Sequence, residues 1–287
     1  MKKVALLCLI LIGIYGCSSV PITGRNQLNL VSDQEVLSLS LQQYNDYIQT
    51  AKKSTDPVAT ALVTKVGSKI ADAVEAYYKS QGMESQLSGY SWEFNLIDDP
   101  QVNAFCMPGG KIVVYTGILP VTQDEAGLAV VLGHEVAHAV AKHANERMSQ
   151  QMMAQYGAAG LSSILGKASS TVQSVGQSVF GLGAQYGVLL PFSRKQESEA
   201  DHLGLIFMAI AGYSPDAALP FWQRMSQQGG GASTPEFMSS HPADNTRIAD
   251  IQKVLPEARQ YYTSIWGNNK NTTTPATNTN TNTNWHF

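Results

Sequence analysis

Apolar residues recur every three or four positions along most of this chain, the mark of helices that bury one face. Val58, Leu62, Val66, Ile70 and Val74 step by four behind Asp56-Pro57. That pair is an N-cap with proline at the first helical position, so a long helix is predicted to run to just before Gly82. Ser32 and Glu35 make a capping box that opens a helix reaching about Gln49. Leu128, Val131, Leu132 and Val136 follow Thr122 and Glu125, a second box, and this helix is expected to continue through Lys142, His143 and Arg147. Ser193 with Gln196 opens another, running to Ala211 and stopped by Gly212. Ser214-Pro215 reads as a further start, with Pro220 expected to kink the apolar pattern after it.

Between Tyr90 and Leu119 the period falls to two. Trp92, Phe94 and Leu96 alternate with Glu93 and Asn95, and Pro108-Gly109-Gly110 turns the chain into Lys111–Tyr115, a second β-prone run. The predicted fold class is therefore α+β, predominantly α-helical, with a small β-sheet beside the helix that follows residue 125. Residues 18–30, with Pro21, Gly24 and Asn26, read as a loop. The stretch 152–187 is rich in Ala, Gly and Ser and reads as closely packed small-residue helices or as a mobile lid; Lys167 and many Ser and Gln argue against a membrane span there. From Asn268 the chain repeats Asn and Thr with almost nothing to bury, so disorder is expected, and the final Trp285 and Phe287 are given no role.

Charge and cysteine content narrow the setting. Charged residues make up 14% and the net charge is −3, so there is no basic field to hold nucleic acid. Lys2 and Lys3 precede an apolar run from Val4 to about Ile14, followed by Gly16-Cys17, the pattern of a secretory signal and too short to span a bilayer. A small residue before cysteine resembles a bacterial lipobox, which implies a lipid anchor at Cys17. Ser18 stands where a lipoprotein kept at the inner membrane carries Asp. The resemblance thus implies anchoring in the outer membrane, facing the periplasm. With Cys8 in the signal and Cys17 lipidated, Cys106 is alone and no intramolecular disulfide can form. The expected division is a lipoprotein signal peptide at 1–16, a lipidated tether at 17–31, one domain at 32–266 and a disordered tail at 267–287.

The chemistry concentrates in Val131-Leu132-Gly133-His134-Glu135-Val136-Ala137-His138, which reads HExxH. On a helix, residues four apart lie only about 40° apart around the axis, so His134 and His138 can grip one Zn²⁺. Glu135 sits beside the first of them, placed to deprotonate the water that a metal activates. A catalytic zinc wants three protein ligands and an open position. The chain has Ala141 and Ala144 where the metzincin pattern needs Gly and His, and on an unbroken helix His143 lies about 140° round from His138. Glu197 and Asp201 share one face of the later helix, where one could bind metal and the other accept the outer N–H of a ligand histidine. Glu199 should point away. Acids near a helix start also simply suit its dipole and solvent.

These motifs, with Ser240-His241-Pro242 and Arg247-Ile248 downstream and Pro21-Ile22-Thr23-Gly24-Arg25 upstream, resemble the gluzincin peptidases that include the CAAX-prenyl proteases and the heat-shock membrane protease. The likeness is nearest to the periplasmic lipoprotein branch, BepA-like and LoiP-like, and runs from Cys17 to about Arg259. It implies one zinc held by His134, His138 and Glu197, with Glu135 as catalytic base and Asp201 orienting a ligand. It places His241 near the metal, either as an oxyanion donor or as a plug in the open position. Arg247 could bind substrate carbonyls or pair with an acid. The implied activity is a zinc endopeptidase acting on misfolded or unassembled envelope polypeptides. The alternative is an outer-membrane assembly factor, partnered with the assembly machinery, whose zinc is structural or latent.

Overall fold

The computed structural model describes residues 17–164, 169–180, 192–228, 235–241 and 246–267. The expected signal at 1–16, Gly181–Gly187 of the small-residue segment, Pro242 and the tail from residue 268 lie outside the described residues. Among those described, helices dominate and one three-stranded sheet runs through the domain.

The first helices form as the capping signals predict. Helix α1 (Asp33–Thr50) opens on a complete Ser32–Glu35 capping box. Helix α2 (Pro57–Ser80) opens on Asp56, whose carboxylate accepts from the Val58 and Ala59 backbone N–H groups. Val66, Ile70 and Val74 of its stripe are fully buried, but Val58 is 54% exposed. A step of four residues drifts about 40° around a helix, so over four steps the stripe turns through about 160° and leaves the core at one end.

The sheet has order β3-β5-β4, from Glu93–Ile97 (β3), Ala104–Met107 (β4) and Lys111–Tyr115 (β5). β3 pairs parallel with β5, and β4 returns antiparallel through the Pro108–Gly110 turn to form an edge. The period-two pattern predicted β3 and β5 but not β4. Helices cover both faces, so the expected outward Asn95 is buried, donating to the Tyr44 hydroxyl of α1 at 2.7 Å. Leu96, Ile112 and Val114 enter one core with α2, while Ile97, Phe105 and Val113 enter a second with Val36 and Tyr44 of α1.

A short helix α3 (Leu119–Thr122) precedes α4 (Glu125–Val140), which carries HExxH. The expected Thr122–Glu125 box does not form. Thr122 belongs to α3 and its hydroxyl donates to the Leu119 carbonyl; Gln123 then turns through positive φ and extended Asp124 caps α4, accepting from Gly127 N–H at 2.7 Å. Helix α4 also stops earlier than expected. Lys142 has φ +57° and breaks the chain, so His143 begins a new helix, α5 (His143–Ile164), paired with α6 (Ser169–Phe180).

Helix α7 (Arg194–Ile210) opens on the predicted Ser193–Gln196 box. It crosses α4 where Gly133 meets Gly204: a Cβ on Gly204 would lie 2.8 Å from the Gly133 carbonyl carbon and from His134 N. Two glycines let the backbones touch, which brings the acids of α7 against the histidines of α4. Pro220 does not kink α8 (Ala218–Gln228). A 3₁₀ turn at Pro215–Ala217 runs into α8 and leaves Pro220 in the first turn, where no intrahelical N–H is needed. Helices α9 (Glu236–Ser240) and α10 (Arg247–Trp266) complete the domain. The expected loop over 18–30 instead holds a hairpin of β1 (Cys17–Ser19) and β2 (Asn26–Leu28).

Candidate metal centre

His134 and His138 project from one face of α4, Glu197 from α7, and His241 caps the end of α9. All four are buried, and their ligand atoms lie within 4.8 Å of one another. His134 Nε2 is 3.0 Å from His138 Nε2, 3.5 Å from Glu197 Oε2 and 3.2 Å from His241 Nδ1. Glu197 Oε1 is 3.3 Å from His138 Nε2 and 3.0 Å from His241 Nδ1. Donors about 2.0 Å from a tetrahedral ion stand roughly 3.3 Å apart, so this spacing is that of a coordination sphere.

The proton positions make the same case. A carboxylate only accepts, so Asp201 Oδ1, 2.9 Å away, fixes the hydrogen of His134 on Nδ1 and leaves Nε2 a lone pair. His138 Nδ1 meets His143 Nδ1 at 2.8 Å, and His143 Nε2 meets Glu199 Oε2 at 2.9 Å. Glu199 takes the His143 Nε2–H, so His143 Nδ1 accepts from His138 Nδ1–H and His138 Nε2 is bare. Two lone-pair nitrogens facing each other at 3.0 Å repel unless a cation lies between them. The donor set, two imidazoles and a carboxylate with a third imidazole beside them, fits zinc.

Two outer arms hold this arrangement. In the first, Arg247 donates to Asp201 Oδ1 (2.8 Å) and Glu197 Oε2 (3.1 Å), with its guanidinium over the Trp222 ring. The acid-pairing reading of Arg247 is the one the contacts follow. In the second, Arg25 from the β1–β2 hairpin donates to Glu199 Oε2 (2.7 Å) and bidentately to Glu146 (2.8 and 2.9 Å), and the Thr23 hydroxyl also donates to Glu199. Despite burial, the bonds from His143, Thr23 and Arg25 hold the Glu199 carboxyl below the usual range. Glu199 does point away from the metal ligands, yet it is buried and reaches His138 from behind through His143.

Glu135 lies next to the cluster, buried, with Oε1 unbonded and 3.4 Å from His241 Nε2. Burial pushes its carboxyl up to about 7, where a carboxylate exchanges protons readily at neutral pH. The His241 ring is stacked between Phe192 and Phe237, with centroids 5.1 and 4.7 Å away. Cys106 on the edge strand β4 lines a cavity together with Glu135, His138 and His241. Cys17, the expected lipid site, begins β1.

His143, Glu199 and Arg25 are absent from the sequence-based site. Arg25 falls within the Pro21–Arg25 stretch that carries the family likeness, which was its only signal. For His143 there was none, because the break at Lys142 involves neither Gly nor Pro.

An HExxH helix joined by a glutamate from a later helix around one metal defines a gluzincin zinc peptidase. Residues 66–255 match the profile of Peptidase family M48. The chain belongs to that family and is a zinc metalloendopeptidase. It is 36% identical over 248 residues to mitochondrial metalloendopeptidase OMA1 of Schizosaccharomyces pombe, covering 84% of this chain and 67% of that one. It is 30% identical over 243 residues to human OMA1, covering 83% of this chain and 46% of the human protein. The beta-barrel assembly-enhancing protease of Escherichia coli is 28% identical over 173 residues, 58% of this chain and 35% of that protein. The motifs put the likeness nearest to the BepA-like and LoiP-like branch, but these OMA1 proteins are more similar to the chain than the beta-barrel assembly-enhancing protease is. No helix among the described residues is long and apolar enough to cross a membrane.

Proposed function

We propose that this chain is an envelope endopeptidase that cleaves misfolded or unassembled periplasmic and outer-membrane polypeptides, held to the outer membrane through lipid on Cys17. The observation that carries the peptidase site is the buried group of His134, His138, Glu197 and His241 with the unbonded Oε1 of Glu135 beside it. The setting rests on the Lys2–Cys17 pattern and on the likeness to the beta-barrel assembly-enhancing proteases of Yersinia pestis and Escherichia coli.

In this reading His134, His138 and Glu197 hold the zinc, which when bound polarises the scissile carbonyl and acidifies the attacking water. Glu135 takes the proton from that water and returns it to the leaving amine. Asp201 keeps the His134 hydrogen on Nδ1, and His143 does the same for His138. The edge strand β4 offers its backbone to an extended substrate, which suits a protease that meets many unfolded sequences. His241 Nδ1, 3.0 Å from Glu197 Oε1, occupies the fourth position of the group, which favours the plug over the oxyanion donor.

The test is degradation of casein by purified zinc-loaded protein, with and without chelator. Glu135→Gln should abolish cleavage, by about 10²-fold or more, while zinc content by elemental analysis stays at one per chain. Unchanged cleavage by the zinc-loaded variant would remove Glu135 from the reaction. If the wild type fails to cleave and Glu135→Gln still supports outer-membrane assembly in cells, the assembly-factor reading holds instead.

A further inference from the structure

Among the described residues, Arg147 is a buried arginine with no carboxylate bonded to it. It projects from the second turn of α5, is only 7% exposed, and its Nε and Nη2 have no hydrogen-bond partner. Its guanidinium lies 4.3 Å over the Phe192 ring, which satisfies the cation's flat face and none of its N–H groups. Neighbouring Glu146 turns the other way, to Arg25 and Gln196. Arg25 and Arg247, by contrast, are each bonded to two carboxylates. Burial pushes the Arg147 guanidinium down to about 10, against the pull of the Glu197 charge, so it stays charged at neutral pH with two of its donor atoms unbonded.

The two unbonded atoms belong together. Nε–H and Nη2–H form the side edge of the guanidinium, two parallel donors spaced to take both oxygens of one carboxylate. Arg147 lines the same small cavity as Glu135, His138, His241 and β4 residues Phe105 to Met107. The cavity leaves about 60 Å³ for the centres of water-sized groups, enough for a carboxylate and its adjoining methylene. Val179, Phe180 and Phe192 give it apolar walls, with Asn103 and Ser240 as further polar lining, so a guest there is partly desolvated and charge pairing is strengthened.

Building on the peptidase reading, we propose that Arg147 forms a carboxylate-recognising subsite of the cleft. It takes the acidic group of a bound polypeptide, from an Asp or Glu side chain near the scissile bond or from the chain's own C-terminus.

The test uses fluorogenic peptides that differ at one position as Glu or Gln, and a matched pair ending in a free acid or an amide. With zinc-loaded full-length protein, the acidic member of one pair should have a kcat/KM about ten- to a hundredfold higher, the range expected for hydrogen bonds to a charged group. Preference at an internal position identifies a side-chain carboxylate; preference for the free acid identifies the terminus. In Arg147→Gln the ratio should collapse toward one. Arg147→Lys, which keeps the charge and loses the fork, should retain only part of it and serves if the Gln variant does not fold. Peptide affinities on zinc-loaded Glu135→Gln, read by anisotropy, should show the same discrimination without any turnover, so a failure of cleavage and a failure of the subsite are told apart. Equal Glu and Gln, and equal acid and amide, in wild type would overturn the proposal. So would a ratio that survives Arg147→Gln.

Discussion

The arm from the amino-terminal hairpin to the metal ligand yields the sharpest prediction, through Glu199→Gln. Glu199 Oε2 receives His143 Nε2–H at 2.9 Å and Arg25 Nε–H at 2.7 Å, and Oε1 receives the Thr23 hydroxyl. A glutamine that keeps its oxygen on the Oε2 side preserves the first two bonds. Its NH₂ then faces Thr23, whose hydroxyl can rotate and accept, so the fold is retained and only the charge is lost. Outer partners of metal-bound histidines are worth about 10–100-fold in metal affinity. Here the carboxylate acts through an intervening imidazole, which points to the lower end: about tenfold weaker zinc binding, or about 1.4 kcal/mol. His143→Phe removes the direct partner of His138 Nδ1 and should fall nearer a hundredfold. Both are measured by competition of the apoprotein with a chromophoric chelator at neutral pH, with near-ultraviolet circular dichroism as the control for folding. A folded Glu199→Gln that binds zinc within twofold of wild type would refute the coupling between the hairpin and the site.

Two further outcomes follow from the same geometry. In Gly204→Ala the new Cβ lies 2.8 Å from backbone atoms of Gly133 and His134, so overpacking of about 1–3 kcal/mol should exceed the helix-propensity gain of about 1 kcal/mol. The urea midpoint should fall, with zinc affinity falling beside it as Glu197 is pushed away; a midpoint at or above wild type contradicts the close crossing. In His241→Ala the fourth position of the metal group opens, and casein cleavage should rise roughly tenfold if the resting enzyme is mostly closed. A fall in cleavage would instead assign His241 to stabilising the developing oxyanion.

What could be read from the chain alone was whatever is decided within one helix. His134 and His138, or Glu197 and Asp201, share a face because four residues make about one turn, and no tertiary information is needed. The Ser32 and Ser193 boxes are equally local and form as their letters suggest. The failures lie where a neighbour decides. Thr122 cannot cap α4 because it is already inside α3. Asn95 is buried because α1 covers the face of the sheet that an alternating strand would show to water. The meeting of α4 with α7 depends on Gly133 touching Gly204, two residues that carry no signal of their partnership 71 positions apart.

His143 shows why such a site is hard to foresee even with its motif in view. An unbroken helix carries it about 140° away from His138, and it is dismissed on sound geometry. The chain instead reverses at Lys142, with φ +57° and its ammonium bound to Asp33 of α1 at 2.6 Å, and His143 swings back behind the ligand it follows. That return gives the middle acid of Glu197-Ser198-Glu199-Ala200-Asp201 its use. Glu197 faces the metal group, Asp201 orients His134 directly, and Glu199, on the opposite side of the same helix, orients His138 through His143. Each metal-facing imidazole of α4 thereby has its tautomer set by a carboxylate of α7, and each carboxylate has its own arginine. One of those arginines comes from α10 and the other from the hairpin next to Cys17. Both ends of the domain therefore contribute to the contacts behind the metal-facing imidazoles, and disrupting the amino-terminal hairpin should weaken metal binding by about the tenfold expected for Glu199→Gln.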